Sequence, residues 1–211
     1  MIKALILDLD NTIYPVESIG KELFKPLYDL MDEYKSEVGE DQLEKAKQEL
    51  LKKAYQKVAD AHNFPQELIE RGVTMLRDLT YEGPMQPFAD YAYLQQLKAE
   101  KFLVTMGFTK MQWRKVDLLD LRKDYKEVIV NDPDKTEATK KEVFQDILQK
   151  YGYQPQEVIA IGDDPDSEIK AAKDLGIATI LYDHKGEFQI DQADFKIASF
   201  EELGSLPIEL S

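Results

Sequence analysis

Asp8 and Asp10 stand two apart in Leu7-Asp8-Leu9-Asp10-Asn11-Thr12, directly after an apolar run. At the end of a strand that spacing turns both carboxylates to the same side of a sheet. Two ionised carboxylates so close repel, and at the edge of a core they are poorly solvated. A bound cation resolves that conflict; a solvated Asx-type turn is the plainer alternative, since Asp-Asn-Thr is good turn chemistry.

A second acidic group, Gly162-Asp163-Asp164-Pro165-Asp166-Ser167-Glu168, also follows an apolar run. All-oxygen side chains of this kind suit a hard cation. The plainer reading makes them a polar turn, with Ser167 or Asp166 capping a helix over Ile169 to Leu175. Thr105, in Val104-Thr105-Met106-Gly107, offers a hydroxyl beside a flexible Gly at a third strand end. Thr139-Lys140-Lys141-Glu142 fits a capping box, and a lysine at a helix start can present its ammonium, with backbone N–H groups, to an anion. For any one of Lys135, Lys140 and Lys141 an exposed lysine is the plainer reading.

The elements that must position these groups are legible as apolar runs. Ile2 to Leu7, Phe102 to Val104, Val128 to Val130, Val158 to Ile161 and Ala178 to Leu181 read as strands buried on both faces. Helical stretches such as Tyr91 to Lys98 and Val143 to Lys150 lie between the later runs, giving βαβ alternation. Residues 14–83 break it with helical periodicity instead. One stripe is Ile19, Leu23, Leu27, Leu30 and Tyr34, with Pro26 expected to kink or restart the helix; another is Leu43, Leu50, Ala54, Val58 and Ala61. A third helix is expected after Asn63, with Pro65 near its first turn, and Gly83-Pro84 marks the return. The expected architecture is an α/β core with a Rossmann-like parallel sheet, formed by residues 1–13 and 84–211, and an all-helical insertion over 14–83. In an open parallel sheet ligands bind outside the carboxyl ends of the strands, where both acidic groups fall.

Composition narrows the chemistry. The chain has 211 residues, 43% hydrophobic and 32% charged, and 27 basic against 41 acidic side chains give a net charge of −14. Such a balance repels nucleic acid and anionic lipid, so neither is an expected partner. No apolar run is long enough for a membrane span or a signal peptide, and a cytoplasmic location is expected. The absence of Cys excludes thiolate catalysis and cysteine metal sites, and His62 and His184 alone leave little room for histidine-rich zinc chemistry. Both histidines are expected at the surface, and Trp113 is read as a packing residue. No Gly-rich nucleotide fingerprint or Walker A sequence occurs.

The four groups, in this order and each after a strand, resemble the motifs of the haloacid dehalogenase-like (HAD) hydrolase superfamily, over nearly the whole chain. Asp8-Leu9-Asp10-Asn11-Thr12 looks like its first motif, Thr105 its second, Lys140 its third, and Gly162-Asp163-Asp164 with Glu168 its fourth, with Glu168 standing where an Asp is common. For the third motif Lys140 is favoured because Thr139 is the best N-cap, with Lys141 and then Lys135 behind it. The insertion at 14–83 is similar to the C1 cap of many members. The resemblance implies a phosphatase acting on a small phosphorylated metabolite. Mg²⁺ would be held by Asp8, the carbonyl of Asp10 and Asp163, with Asp164 or Glu168 orienting waters behind them. It also implies that Asp8 attacks phosphorus, that Asp10 serves as acid and then base, and that Thr105 and Lys140 hold phosphate oxygens. Dehalogenases typically lack the second acid of the first motif, and Asp10 is present. A phosphomutase would share every motif, and a noncatalytic binding module would have little use for intact Asp8, Asp10 and Asp163. Tyr14 and Phe108 either touch substrate or pack beneath the cap; the substrate's identity and the oligomeric state stay open.

Overall fold

The computed structural model describes residues 1–209. Its elements in chain order are β1 (Ala4–Leu7), α1 (Glu17–Leu23), α2 (Lys25–Asp32), α3 (Lys35–Val38), α4 (Glu40–Glu49), α5 (Tyr55–Ala61), α6 (Gln66–Asp78), α7 (Tyr91–Gln96), β2 (Glu100–Met106), α8 (Thr109–Leu118), β3 (Glu127–Asn131), α9 (Lys140–Tyr151), β4 (Val158–Gly162), α10 (Lys170–Lys173), β5 (Ala178–Tyr182) and β6 (Phe195–Ile197). The strands form one sheet in the order β3-β2-β1-β4-β5-β6, and every pairing is parallel. After β3 the chain crosses to the far side of β1, so β1 lies centrally, with Leu7 in register with Leu103 on one side and Ile161 on the other. The carboxyl ends of β1, β2 and β4 therefore open onto one crevice, at the place where an α/β sheet reverses its strand order.

Alternation along the central strands gives the sheet two apolar faces. Leu5, Leu7, Leu103, Ile159 and Ile161 join one buried cluster with Tyr91, Leu94 and Val116. Ala4, Ile6, Phe102, Val104, Val158 and Ala160 join another with Val143, Phe144 and Ile147 of α9 and Ala171 and Ala172 of α10. Both faces are covered, which is why these strands read as unbroken apolar runs.

Residues 17–78 are helical, as their periodicity predicts, with corrections in detail. The first stripe divides at Phe24: Pro26, in the first turn of α2, restarts the helix. Ile19 and Leu23 of α1 pack with the cluster of the sheet, whereas Leu27, Leu30 and Met31 of α2 join a separate cluster with Leu43, Ala46, Val58, Ala59 and Leu68. The second stripe is not one helix, because the chain turns between α4 and α5 and the Leu51 carbonyl accepts from Asn11 Nδ2 at 3.0 Å. Ala54 and Ala61 are consequently exposed, and Tyr55 and Ala59 take the buried positions. The short edge strand β6 was absent from the sequence expectations. Among the described residues, no helix is long and apolar enough to cross a membrane.

Candidate active site

Asp8 follows β1 directly, its amide donating to the Ile161 carbonyl at 3.1 Å, which fixes it against β4. Asn11 then adopts a left-handed backbone, φ 57°, and accepts from the Val16 amide at 3.1 Å while its own amide donates to the Tyr14 carbonyl. Asn tolerates that conformation because its short polar side chain bonds locally. The tight loop turns the side chains of Asp8, Asp10 and Thr12 into the crevice side of the sheet.

Two lysines divide the two aspartates between them. Lys140, the first residue of α9, donates to Asp8 Oδ1 at 2.6 Å and to Glu168 Oε2 at 2.7 Å. The predicted capping box is formed: Thr139 accepts from the Glu142 amide and the Glu142 carboxylate accepts from the Thr139 amide at 2.6 Å. Lys140 is thereby aimed into the crevice, whereas the other two candidate lysines lie elsewhere. Lys141 faces Asp174 at 3.7 Å, and Lys135 donates to Thr109 Oγ1.

Lys115, on α8, donates to Asp10 Oδ1 at 2.7 Å, and Tyr14 Oη donates to the same oxygen at 2.5 Å. Gln112 Nε2 donates to Asp10 Oδ2 at 3.0 Å and to Thr105 Oγ1 at 2.5 Å. Gln112 and Lys115 were missed by sequence reasoning. The available signal was their placement beside Met111 and Val116 on the buried stripe of α8, where a polar residue needs a reason. Tyr14 is buried against Asp10, and Phe108 packs with the helical cluster of 24–79.

These surroundings push the two acids apart. Burial raises Asp8, and the neighbouring Glu168 and Asp10 add to it; Lys140 offsets only part, leaving Asp8 at about 7. Burial also raises Asp10, but the charge and hydrogen bond of Lys115, with those from Tyr14 and Gln112, outweigh it and leave Asp10 below its usual value. Burial among Glu168 and Asp8 lifts Asp163 well above the ordinary range.

The second acidic group is arranged differently from the helix cap anticipated at Ser167 or Asp166. Asp164 accepts from the Asp166 amide at 2.9 Å and caps a π-helical turn over Pro165–Ile169, ahead of α10. Pro165 suits that first turn because it lacks the N–H a cap would have to satisfy. Glu168 folds back so that its Oε1 accepts from the Asp164 amide at 2.7 Å. Thr12 Oγ1 donates to Asp163 Oδ1 at 3.4 Å, joining the two loops.

Mutual repulsion in a buried, all-oxygen environment makes Asp8, Asp163 and the carbonyl of Asp10 a fitting donor set for a hard cation. No group of three or more His, Cys, Asp or Glu side chains is arranged as a metal cage among the described residues. Mg²⁺ keeps several waters and needs only one or two carboxylates beside a phosphate, so a complete protein cage is not required. His62 departs from its expectation: it is mostly buried beside Phe64 and lies 3.1 Å from Glu49, far along the chain from every residue of the crevice. His184 is exposed.

The haloacid dehalogenase-like hydrolase family matches residues 2–176. A curated relative from Methanopyrus kandleri, named glyceraldehyde 3-phosphate phosphatase, is 25% identical over all of this chain and 99% of its own length. Among solved structures, a haloacid dehalogenase-like family protein from Streptococcus pneumoniae superposes with a TM-score of 0.71 at 18% identity, covering 97% of each chain. A HAD phosphatase from Thermococcus onnurineus superposes at 0.66 with 20% identity, again over 97% of each. At those identities the structures bear on the fold alone.

Proposed function

The chain belongs to the haloacid dehalogenase-like hydrolases, and from that premise we propose that it is a phosphatase, hydrolysing a small-molecule phosphomonoester with Mg²⁺ through an aspartyl-phosphate on Asp8. The observation that carries this reading is the pair Asp8 and Asp10, two residues apart and each held by its own lysine. Attack on phosphorus needs a nucleophile and a separate proton-transfer group, and the two carboxylates lie in separate donor sets, Asp8 on Lys140 and Asp10 on Lys115, Tyr14 and Gln112; a cation held by Asp8 would favour the ionised, nucleophilic form that burial alone disfavours. A dehalogenase needs only the first. The relative from Methanopyrus kandleri carries a phosphatase name, in keeping with this choice.

In the proposed reaction an oxygen of Asp8 forms a bond to phosphorus as the ester oxygen departs with a proton from Asp10. Water then attacks the same phosphorus, Asp10 takes its proton, and Asp8 is released with inorganic phosphate. Thr105 and Lys140 hold equatorial phosphoryl oxygens and offset the charge that develops there. Asp8, the carbonyl of Asp10 and Asp163 would hold Mg²⁺, which would supply positive charge beside the transferring group. Asp164 and Glu168 would orient waters behind these ligands, and Glu168 also accepts from Lys140.

A cleft of about 550 Å³ opens beside Asp163 and Asp164, between Gln48 to Lys53 on the helical side and Asp183 to Phe188 on the other. Its size suits a small organic leaving group. The test is hydrolysis of an aryl phosphate and of a panel that includes triose, sugar and nucleoside monophosphates, with Mg²⁺ or EDTA, for wild type and Asp8→Asn. Turnover that requires metal and is lost in Asp8→Asn is expected. Turnover indifferent to both EDTA and Asp8 overturns the reading.

A further inference from the structure

Asp10 has donors on both carboxylate oxygens, and two come from a helix that belongs to neither acidic loop. Lys115 and Gln112 sit one turn apart on α8, so they present neighbouring side chains to the crevice. Lys115 reaches Asp10 Oδ1, and its side chain is only 6% exposed, so it is no surface lysine that happens to be near. Gln112, 2% exposed, reaches Asp10 Oδ2, Thr105 Oγ1 and the Met106 carbonyl at 3.2 Å. A long, flexible lysine loses rotamer entropy when fixed in this way, and burial of its charge costs more. Packing alone would be served better by an apolar residue at position 115.

The approach of α8 depends on Gly107, the residue that leads β2 toward the helix. Its φ is 149°, outside the usual range of side-chain-bearing residues, and a Cβ there would lie 3.1 Å from Gln112 Cγ. Gly107, Gln112 and Lys115 thus form a continuous path from the end of β2 to the Asp10 carboxylate, passing the hydroxyl of Thr105.

We infer that Lys115, supported by Gln112, is the positioning residue that holds the Asp10 carboxylate for its second task, taking the proton of the water that attacks the phosphorylated Asp8. The inference rests on the phosphatase reading above. Lys115 itself touches neither the nucleophile nor the phosphoryl-binding hydroxyl. It acts through Asp10, fixing the direction of one oxygen while Tyr14 and Gln112 complete the cradle. With Lys115 replaced, Asp8 and Lys140 keep their own bonds, so formation of the phosphoenzyme from a good leaving group is spared and its hydrolysis is not.

The experiment is stopped-flow and steady-state hydrolysis of p-nitrophenyl phosphate by wild type, Lys115→Met and Lys115→Arg, each with Mg²⁺. Nitrophenolate departs without a proton, so kcat/KM reports the first transfer and kcat the hydrolysis of the intermediate. For Lys115→Met the expected result is kcat lower by ~10²-fold with kcat/KM within ~3-fold, and a stoichiometric burst of nitrophenolate before the slow steady state. Lys115→Arg, keeping a cationic donor, should recover much of kcat. Equal falls in kcat and kcat/KM, or no fall in either, overturn the inference. A crystal structure of Lys115→Met decides it without turnover: an Asp10 carboxylate that leaves Tyr14 and Gln112 is expected, and one that stays on both overturns it. The two readings fail separately, since activity retained by Asp8→Asn removes the phosphatase reading, whereas loss in Asp8→Asn with parallel falls in Lys115→Met removes only this one.

Discussion

Lys140 Nζ stands 2.6 Å from Asp8 Oδ1, and so binds the first residue of α9 to the residue that follows β1. The same ammonium is shared with Glu168 at 2.7 Å, which makes it the single lysine between two buried carboxylates. Replacement by Met leaves those acids facing each other without a counter-charge. In the phosphatase reading it also removes a cation from the phosphoryl group. Lys140→Met is expected to lower kcat by ~10²-fold or more, and to lower stability by about 3 kcal/mol at neutral pH. Lys140→Arg should not restore activity, because a planar fork cannot reproduce a point charge between two acids. Steady-state kinetics and urea unfolding check both statements.

The elevated Asp8 ties stability to pH in the metal-free protein. A carboxyl whose folded pKa, about 7, exceeds its unfolded value of 3.8 binds more protons folded than unfolded between those limits. Its contribution is therefore fully present below about pH 4 and is lost as pH rises through 7. Asp163, also raised, acts in the same direction. Asp10 is lowered, so its contribution is lost only on acidification below 3.8, outside this window. Thermal melts in EDTA from pH 4 to 8 should show wild type losing stability relative to Asp8→Asn, which has no carboxyl to ionise at this position. Parallel curves for the two proteins would contradict the assignment.

Addition of Mg²⁺ should reverse that trend. A cation bound by Asp8 and Asp163 favours their ionised forms, so stabilisation by Mg²⁺ is expected to be larger at pH 8 than at pH 5. At a concentration 100 times the dissociation constant the gain is about 2.7 kcal/mol. Asp163→Asn should lose most of it, whereas Asp166→Asn, whose exposed side chain is outside the proposed ligand set, should retain it. Melting temperatures with and without the metal measure the difference.

The parts of this site that sequence made legible are those in which one local rule determines the outcome. Asp8 and Asp10 fall on one side because a strand has period two, and Lys140 was favoured over its neighbours because Thr139 and Glu142 define a helix start. The runs that became β1, β2, β3, β4 and β5 were recognisable because both faces of a parallel sheet are buried. What was not legible depends on elements far apart in the chain. Gln112 and Lys115 acquire their partners only when α8 packs over the end of β1, about a hundred residues away in sequence. The turn between α4 and α5 involves Leu51 bonding to Asn11, and no periodicity in 40–61 contains that contact. The cap is a separate, local case: Asp164, Asp166 and Ser167 are all good cap residues within four positions, and Asp164 takes the place because its side chain accepts from the Asp166 amide while its own amide donates to Glu168. The edge strand β6 has three residues, too few to produce a period.

Gly162 supplies the most direct test of how closely that fourth loop is built. A Cβ placed there would lie 2.1 Å from Glu168 Oε1 and 2.2 Å from its Cγ, closer than atoms can approach. Glu168 cannot simply move away, since one of its oxygens holds the Asp164 amide and the other Lys140. Gly162→Ala is thus expected to displace the Glu168 side chain and to cost ~1–3 kcal/mol of stability, the range for overpacking a dense interior. Activity should fall with it, because Lys140 loses a partner on one side. The clash vanishes if the obstructing side chain is shortened. In an Glu168→Ala background the same Gly162→Ala change should cost much less, with a coupling of at least about 1 kcal/mol between the two sites. Urea unfolding of the wild type, both single variants and the double variant measures that coupling directly. Simple additivity across the four proteins would mean that the loop relaxes around a Cβ at position 162, and that the fold of Glu168 over Gly162 is not what fixes Lys140 against Asp8.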